Sequence, residues 1–483
     1  MIKRVLVLGA TLFGVMTSHA QNKQLLYDFY EIPQALLLNP GMKTSYAWHS
    51  GIPLLSGLSI QAGTSGITVN DIFANDGIDF TTKVREQVVN GLSRNDEFGG
   101  SAQIEVFNVG FRNANRPDDY ISFGMYGEFF VAQYWPKDLA VLAFEGNANN
   151  LNRRFSLDHI ATQGEAVNVF HVGINRRINR KWTVGARAKL YSSVFEFKSA
   201  NNSGYFVTTP GENNILRNTL VADVTLRTSG VEEILDILEE DSGNLQADLA
   251  RLVMRRSLLG GNLGLGFDLG FTHNFRRNSF ITASILDLGF IYHSNAVKNY
   301  TLNGAATNEG IEIILPDDFT NFNTEIWQEL IDDLEAQVPF ETNESSYFSL
   351  RPFKMYASFR YNFGESRTRL KRCDCDIQPV SRTNTLDYKN ALGGQFFMMN
   401  RARGPQIALT GFYQHRIGNA MAVKTTYTLD KYTFSNIGLG ASFQAGPVNF
   451  YLLADNLLGY ANIPGSNYAS LQFGFNIISW NDN

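Results

Sequence analysis

Hydrophobic and polar residues alternate along several stretches of the chain. Between Asn262 and His273, the odd-numbered positions up to residue 271 are Leu or Phe, and the even-numbered positions are Gly, Asn, Asp or Thr. The same alternation recurs at residues 182–191, 355–363 and 437–444. Successive side chains of a β-strand point to opposite faces of the sheet. Each stretch therefore predicts a strand with one apolar face and one face of small or polar side chains.

About fifteen stretches of the chain have the character of strands, and short polar turns join many of them. Several exceed ten residues, which is long for a soluble protein and sufficient for a tilted membrane strand of about nine to eleven residues. Weaker stretches near 155–160 and 217–226 leave the count open. The predicted strands are 56–66, 101–112, 119–132, 138–146, 166–177, 181–197, 262–274, 279–292, 352–363, 391–400, 405–415, 420–429, 433–444, 447–456 and 469–480.

A closed single-chain bacterial barrel has an even number of strands. We therefore predict an all-β fold, a transmembrane antiparallel β-barrel of about 14 strands, with about 16 as the alternative. Aromatic residues near strand ends favour a barrel, because such residues form girdles at both membrane interfaces. They include Tyr120, Trp135, Trp182, Tyr292 and Trp480. A large secreted β-sandwich with an ordinary apolar core is the alternative fold.

The first twenty residues have the pattern of a secretory signal peptide. Lys3 and Arg4 precede a short apolar run that ends in small residues, and we expect cleavage after Ala20. The run is too short to cross a bilayer, which requires about 20 apolar residues. Export and the barrel pattern together predict an outer-membrane location.

Four segments depart from the alternation of strands. Residues 21–46 are rich in apolar side chains that do not alternate, which indicates a segment inside the lumen of a barrel formed by residues 47–483. Three others have apolar residues at helical spacing and predict helical insertions near 81–92, 231–256 and 321–338. We favour helices packed on loops, and a plug or a docking surface for a partner is the alternative.

Composition narrows the classes of function. Hydrophobic residues make up 44% of the chain, which excludes a disordered chain, and a formal net charge of −5 argues against a nucleic-acid partner. The sequence contains no His-Glu-x-x-His and no Gly-x-Ser-x-Gly motif. Cys373 and Cys375 are the only cysteines, and we favour an incidental loop pair over a redox or metal role. We expect no enzyme activity, no catalytic residue, no cofactor and no metal site.

Charged side chains on the polar faces of predicted strands are candidates to line the lumen. They are Arg187, Lys189, Asp268, Arg360 and Lys424. The basic members could attract an anionic head group such as a carboxylate. Alternatively, they neutralise acids elsewhere in the interior of the barrel. The sequence alone is consistent with both roles.

The order of elements near the start of the chain resembles that of the FadL family of outer-membrane transporters. A signal peptide and an apolar segment precede Asn39 and Pro40, and the FadL family has an Asn-Pro-Ala element in its N-terminal hatch; Gly41 stands in place of the alanine. More closely, the chain resembles an uncharacterised Bacteroidota group of FadL- and PorV-like outer-membrane barrels. The stretches that carry this likeness are Gly57–Phe73, Ala283–Ile291 and Leu453–Leu458.

The resemblance implies a barrel of about 14 strands, with gate candidates at Asn39, Pro40 and Gly41. FadL members carry long-chain fatty acids and other hydrophobic molecules, whereas PorV is a partner of the type IX secretion machinery. We expect passive transport of hydrophobic or amphipathic small molecules, in which the hatch-like segment blocks the lumen until it is displaced. A structural or secretion-machinery barrel that binds other envelope proteins is the alternative, and a soluble secreted β protein is third. Outer-membrane lipid is the expected surrounding partner.

Overall fold

A computed structural model describes residues 23–211, 216–239, 244–309, 340–365 and 388–480. The expected signal peptide at 1–20, the expected helix at 321–338, Cys373 and Cys375 lie outside these ranges. Within them, no helix combines the length and the apolar character needed to cross a membrane.

The described part of the chain contains twenty strands, which belong to one sheet with antiparallel pairing. They are β1 (Tyr46–Gly51), β2 (Leu58–Thr64), β3 (Glu97–Asn113), β4 (Arg116–Tyr134), β5 (Arg154–Ser156), β6 (Thr162–Arg177), β7 (Trp182–Pro210), β8 (Leu216–Ser229), β9 (Asn262–Arg276), β10 (Ser279–His293), β11 (Asn299–Glu309), β12 (Phe340–Asn343), β13 (Tyr347–Leu350), β14 (Lys354–Glu365), β15 (Tyr388–Met399), β16 (Gln406–Ile417), β17 (Met421–Leu429), β18 (Asn436–Ala445), β19 (Val448–Asp455) and β20 (Tyr468–Trp480).

The sheet closes on itself. β20 pairs with β19 on one side and with β1 and β2 on the other, and β1 and β2 together occupy one position between β20 and β3. From β3 the ring runs through β4, β6, β7, β9, β10 and then β14 to β20, and β13 extends β14 along β10. The described strands therefore form a closed 14-strand antiparallel barrel, which confirms the predicted fold class and excludes a two-sheet sandwich.

The exterior of the ring is apolar and its interior is largely polar. Exposed apolar side chains come from strands all around the ring and include Ile174, Leu265, Leu269, Phe359, Leu392, Leu409, Leu439, Leu452 and Leu471. Buried polar side chains on the opposite faces include Asp268, Thr272, Thr282, Arg360, Gln395, Gln414, Lys424, Asn449 and Asn476. A water-soluble protein instead buries most of its large apolar side chains and exposes most of its polar ones. This arrangement is typical of a barrel whose wall contacts lipid.

Among the described residues, one helix precedes β1 and the others lie between strands. The α-helices are Val69–Phe73, Phe80–Lys83 continuing as the π-helix Val84–Asn90, Lys137–Glu145, Val231–Glu239, Leu245–Arg255 followed by the turn Arg256–Gly260, and Leu457–Tyr460. The 3₁₀-helices are Pro33–Leu37, Ala148–Asn150 and Ile463–Gly465. The strand predicted at 138–146 is wrong, because these residues form the helix Lys137–Glu145. Its apolar run has no period of two, it is rich in the helix formers Leu and Ala, and Gly146 ends it with φ +74°.

The two ends of the barrel differ. At one, the short-turn end, five connections are two to four residues long, at 114–115, 178–181, 277–278, 418–420 and 446–447. At the other, the long-loop end, the connections carry most of the helices. Outer-membrane barrels have short periplasmic turns and longer extracellular loops.

β7 continues past the barrel wall at the long-loop end. Its residues 196–210 pair with β8, β8 pairs with β11, and β11 pairs with β12. β5 pairs with residues 205–207 of β7 in the same region. We call this five-stranded unit the projecting sheet. The helical loops share one buried apolar cluster with it, through Val88, Val141, Phe155 and Phe206. The weak stretch near 217–226 is thus a strand, but one that lies outside the closed ring.

Candidate functional site

Residues 23–45, the luminal segment, lie inside the ring. Leu25, Tyr27, Phe29 and Ile32 are fully buried. They belong to one apolar cluster with inward-facing wall residues that include Tyr356, Phe397, Met399, Ala422, Leu453 and Ile478. The interior of this barrel is therefore filled by its own N-terminal chain.

Arg187 binds the main chain of the luminal segment. Its guanidinium donates hydrogen bonds to the carbonyl oxygens of Leu36 at 2.6 Å and Leu37 at 3.2 Å. Much of the segment lies outside regular secondary structure, so its buried carbonyl groups need other donors. Arg187, a side chain of the barrel wall, supplies donors for two of these carbonyl groups.

Arg360 and Lys424 also bind main-chain oxygens of the luminal segment, nearer its start. Arg360 Nη1 donates to the carbonyl oxygen of Asp28 at 2.7 Å, and Lys424 Nζ donates to that of Tyr27 at 2.6 Å. Gln395 Nε2 also donates to the Tyr27 carbonyl, at 3.0 Å. The wall cations on this side of the barrel therefore contact main-chain oxygens of the protein itself, where the sequence suggested an anionic head group.

Buried ion pairs join the other lumen-lining candidates. Asp268 lies 3.0 Å from Arg187 and 2.9 Å from Lys189, and Lys189 lies 2.6 Å from Asp287. Asp287 in turn lies 3.1 Å from Lys354. The structure thus brings three of the five candidates, Arg187, Lys189 and Asp268, into one network of opposite charges. This arrangement corresponds to the alternative role, in which the basic residues neutralise acids in the interior.

The network continues toward the long-loop end. Lys354 and Arg351 both contact Glu128, at 2.8 and 2.9 Å, and Arg351 also contacts Glu165 at 2.5 Å. Oppositely charged groups alternate along this path, which offsets the cost of burying each of them. Sequence reasoning missed these members, although Glu128 and Lys354 lie within predicted strands.

The gate candidates rest against the wall at β6 and β9. Asn39 Oδ1 accepts a hydrogen bond from the Gly41 amide at 2.9 Å, which closes a local turn. Asn175 Nδ2 donates to the Pro40 carbonyl at 2.6 Å, and Thr272 Oγ1 donates to the Gly41 carbonyl at 2.8 Å. Asn175 and Thr272 carried no signal in the sequence beyond their place on a polar strand face.

Glycines allow residues 39–41 to pack closely against the barrel wall. A Cβ atom added to Gly41 would lie 2.3 Å from the carbonyl oxygen of Gly270, and one added to Gly185 would lie 1.9 Å from that of Pro40. A Cβ atom on Gly270 would lie 2.2 Å from Asn39 Oδ1. Main chain thus packs on main chain at this point, and glycine at position 41 has a steric reason where the FadL-like element has alanine.

The luminal segment and the wall enclose a small cavity. A cavity of about 50 Å³ lies beside Leu26 and Gln34. Sites for drug-sized ligands usually occupy about 300–1,000 Å³. The charged residues that line this cavity are Lys23, Glu105, Glu128, Lys189, Asp287 and Lys354. This cavity is smaller than such a site.

The described ranges contain no group of three or more His, Cys, Asp and Glu side chains arranged to hold a metal ion.

The protein is a closed 14-strand antiparallel β-barrel that encloses its own N-terminal segment. The chain belongs to the family of unknown function DUF5723, whose model matches residues 40–455. This range begins within the gate candidates and ends with β19. No curated protein matches the chain.

Several solved structures of outer-membrane channels are similar to this chain at low identity. The P. putida toluene transporter TodX is 8% identical, with 96% of this chain and 94% of that chain covered and a TM-score of 0.37. The Ralstonia pickettii toluene transporter TbuX is 9% identical, with 93% of each chain covered and a TM-score of 0.39. A Pseudomonas aeruginosa FadL homologue is 9% identical, with coverage of 96% and 98% and a TM-score of 0.40.

Proposed function

We propose that this protein is an outer-membrane channel for hydrophobic or amphipathic small molecules, gated by the luminal segment. The observation that carries the proposal is a barrel with a lipid-type exterior whose interior is filled by its own N-terminal segment. Within the described ranges, the segment joins the ring of strands at its C-terminal end, where it enters β1. Displacing it would open the interior without breaking the ring of strands.

The gate is held by polar contacts that water can replace. Arg187, Arg360, Lys424 and Asn175 all donate to main-chain oxygens of the luminal segment. Exchange of such a bond for bonds to water costs about 1 kcal/mol net for a neutral donor such as Asn175 and about 1.5–3 kcal/mol for a charged donor. Burial of Leu25, Tyr27 and other apolar side chains holds the segment more strongly, and a hydrophobic solute could compete for the same surfaces. This favours an apolar or amphipathic substrate.

Orientation follows from the connections. The luminal segment leads into β1 at the short-turn end, which is periplasmic in outer-membrane barrels. The projecting sheet and the helical loops would then face the outside. We place the protein in the outer membrane after export, with lipid around the wall, and assign it no enzymatic step.

Uptake measurements test the transport function. Cells that produce the full-length protein should take up N-phenyl-1-naphthylamine and decanoate several-fold faster than cells without it, whereas glucose uptake should not change. Faster entry of all three compounds would indicate an unselective pore. Unchanged entry of the two hydrophobic compounds, with the protein present in the outer membrane, would contradict the proposal.

A second candidate function is a barrel that binds other envelope proteins. The projecting sheet favours it, because this folded unit extends beyond the membrane-facing ring and a transport path does not require it. Chemical cross-linking in intact cells, followed by purification in detergent, tests this function. One envelope protein recovered in stoichiometric amount would support it, and recovery of the barrel alone would count against it.

A further inference from the structure

A helical hairpin packs on the outer wall of the barrel at the long-loop end. It consists of Val231–Glu239 and Leu245–Arg255 with the turn Arg256–Gly260, between β8 and β9. Glu233 on the first helix contacts Arg255 at 3.1 Å and Arg256 at 2.9 Å, which joins the two helices. The hairpin is therefore a folded unit with a fixed place on the wall.

Two polar side chains show where the hairpin lies. Asn168 and Ser192 pair across β6 and β7 at positions that alternation places on the outer face, as for the exposed Val172. Both are nevertheless buried, because Asn168 Nδ2 donates to the carbonyl oxygen of Ser257 at 3.1 Å and Ser192 Oγ to that of Arg256 at 2.6 Å. Unpaired polar groups in hydrocarbon cost several kcal/mol. The turn of the hairpin thus covers wall positions that lipid would otherwise contact.

The first helix is fixed by apolar contacts and by its acidic side. Val231 and Leu235 form a buried cluster with Phe197 of β7. On the same helix, Glu232 contacts Lys298 and accepts a hydrogen bond from Tyr300 at 2.9 Å. This carboxylate therefore faces the loop structure rather than the free side of the hairpin.

The free side of the second helix and the turn is apolar. Met254 is 65% exposed, and Val253, Leu258 and Leu259 are also exposed. Leu259 has φ +67°, a conformation that leucine disfavours, and its side chain nevertheless points away from the protein. Three residues after the turn, the exposed apolar band of β9 begins at Leu263. The free face of the hairpin is therefore continuous with the lipid-facing wall.

Basic side chains flank this apolar face. Arg251 and Arg255 are four residues apart, on one side of the second helix, and both are exposed. Their carboxylate contacts are Asp248 at 3.2 Å and Glu233 at 3.1 Å. A helix with an apolar face and exposed arginines beside it is typical of helices that lie in a membrane interface.

We propose that the free face of this hairpin is embedded in the outer leaflet of the membrane. Val253, Met254, Leu258 and Leu259 contact acyl chains, and Arg251 and Arg255 lie at the level of the head-group phosphates. The hairpin thereby extends the lipid-contacting surface of the barrel and fixes its depth in the membrane. This inference requires a membrane-embedded ring, but it is independent of what the barrel transports.

Lipid-based quenching of a single fluorophore tests the proposal. In the full-length chain carrying Cys373→Ser and Cys375→Ser, an environment-sensitive NBD label is placed by Met254→Cys, and separately by two control substitutions. Leu409→Cys labels the exposed wall of the ring, and Ser203→Cys labels the exposed projecting sheet. Each protein is reconstituted into vesicles of phosphatidylethanolamine and phosphatidylglycerol, with and without lipids that carry a doxyl group at acyl carbon 5.

Doxyl lipids should quench the labels at positions 254 and 409 to a similar extent, at least twice as strongly as the label at position 203. Aqueous iodide should show the reverse order. If position 254 behaves like position 203 while position 409 is quenched by lipid, the hairpin lies in water or against a protein, and the proposal fails. If lipid quenches neither position 254 nor position 409, the membrane-embedded barrel itself is wrong.

Discussion

Arg187 Nη2 lies 2.6 Å from the carbonyl oxygen of Leu36, so a charged side chain of the barrel wall holds the main chain of the luminal segment. The same guanidinium lies 3.0 Å from Asp268 on the neighbouring strand. Arg187 therefore connects the ion-pair network of the wall to the chain that closes the lumen. A change at this residue should affect both stability and gating.

Replacing Arg187 by Met should destabilise the folded barrel by about 3–5 kcal/mol, because it leaves the buried Asp268 with one fewer cationic partner and two carbonyl groups without donors. Urea unfolding in lipid vesicles measures this change. Arg177→Met is the matched control, since Arg177 forms an exposed ion pair with Asp118 at the short-turn end. That variant should change the unfolding free energy by less than about 1 kcal/mol. If both substitutions lower the unfolding free energy equally, the buried network stabilises the barrel no more than an exposed ion pair does.

Gly270→Ala should loosen the luminal segment, because the new Cβ atom would lie 2.2 Å from Asn39 Oδ1. We expect uptake of N-phenyl-1-naphthylamine to rise several-fold in cells that carry this variant. Gly411→Ala adds the same methyl group to β16, where no heavy atom lies within 4 Å of the added Cβ. The control should leave uptake unchanged, and an unaltered rate in the Gly270 variant would argue against a gate at Asn39.

Asn175→Ala should expose the turn at Pro40 to solvent, since Asn175 donates to the carbonyl oxygens of Pro40 at 2.6 Å and Met42 at 2.7 Å. Loss of a buried partner costs about 1–3 kcal/mol, which corresponds to about 5- to 150-fold in a local opening equilibrium. Hydrogen–deuterium exchange of peptides that cover residues 36–42 should therefore accelerate by that factor. Asn201→Ala, at an exposed contact with Asp223 on the projecting sheet, serves as control. Identical exchange in both variants would mean that Asn175 does not hold the turn.

Membrane fractionation tests the barrel itself. The protein should be recovered with outer membranes, require detergent for extraction and migrate differently on gels before and after boiling, as closed barrels do. This expectation rests on the exposed apolar wall, for example Leu265 and Leu409. A protein that stays in solution without detergent and shows no shift would contradict a membrane location.

The alternation of side chains was sufficient to predict the barrel and part of its interior. β7 is regular around Lys189, so counting by twos correctly places this side chain on the inner face. The same count fails at Asp287. Alternation from Ile285 assigns Asp287 to the outside, but a β-bulge with φ +60° at Asp287 turns it inward, beside Lys189.

Partners across the barrel could not be predicted from local sequence. Arg360 donates to the carbonyl oxygen of Asp28, which is 332 residues away in the sequence. This contact forms only when the strands have paired in the correct register and the ring has closed. The helix Lys137–Glu145 shows a second limit, because a short continuous apolar run carries no period that separates strand from helix. Its identity depends on packing against the helical loops and the projecting sheet.

Removal of the luminal segment tests the central claim most directly. A chain that lacks residues 23–41 is compared with the full-length protein for uptake of N-phenyl-1-naphthylamine, after gel migration has shown that both barrels are closed. We predict several-fold faster uptake without the segment, and a return toward the original rate when residues 23–41 are supplied as a separate peptide. A closed barrel that lacks the segment and takes up the dye no faster than the full-length protein would contradict the account.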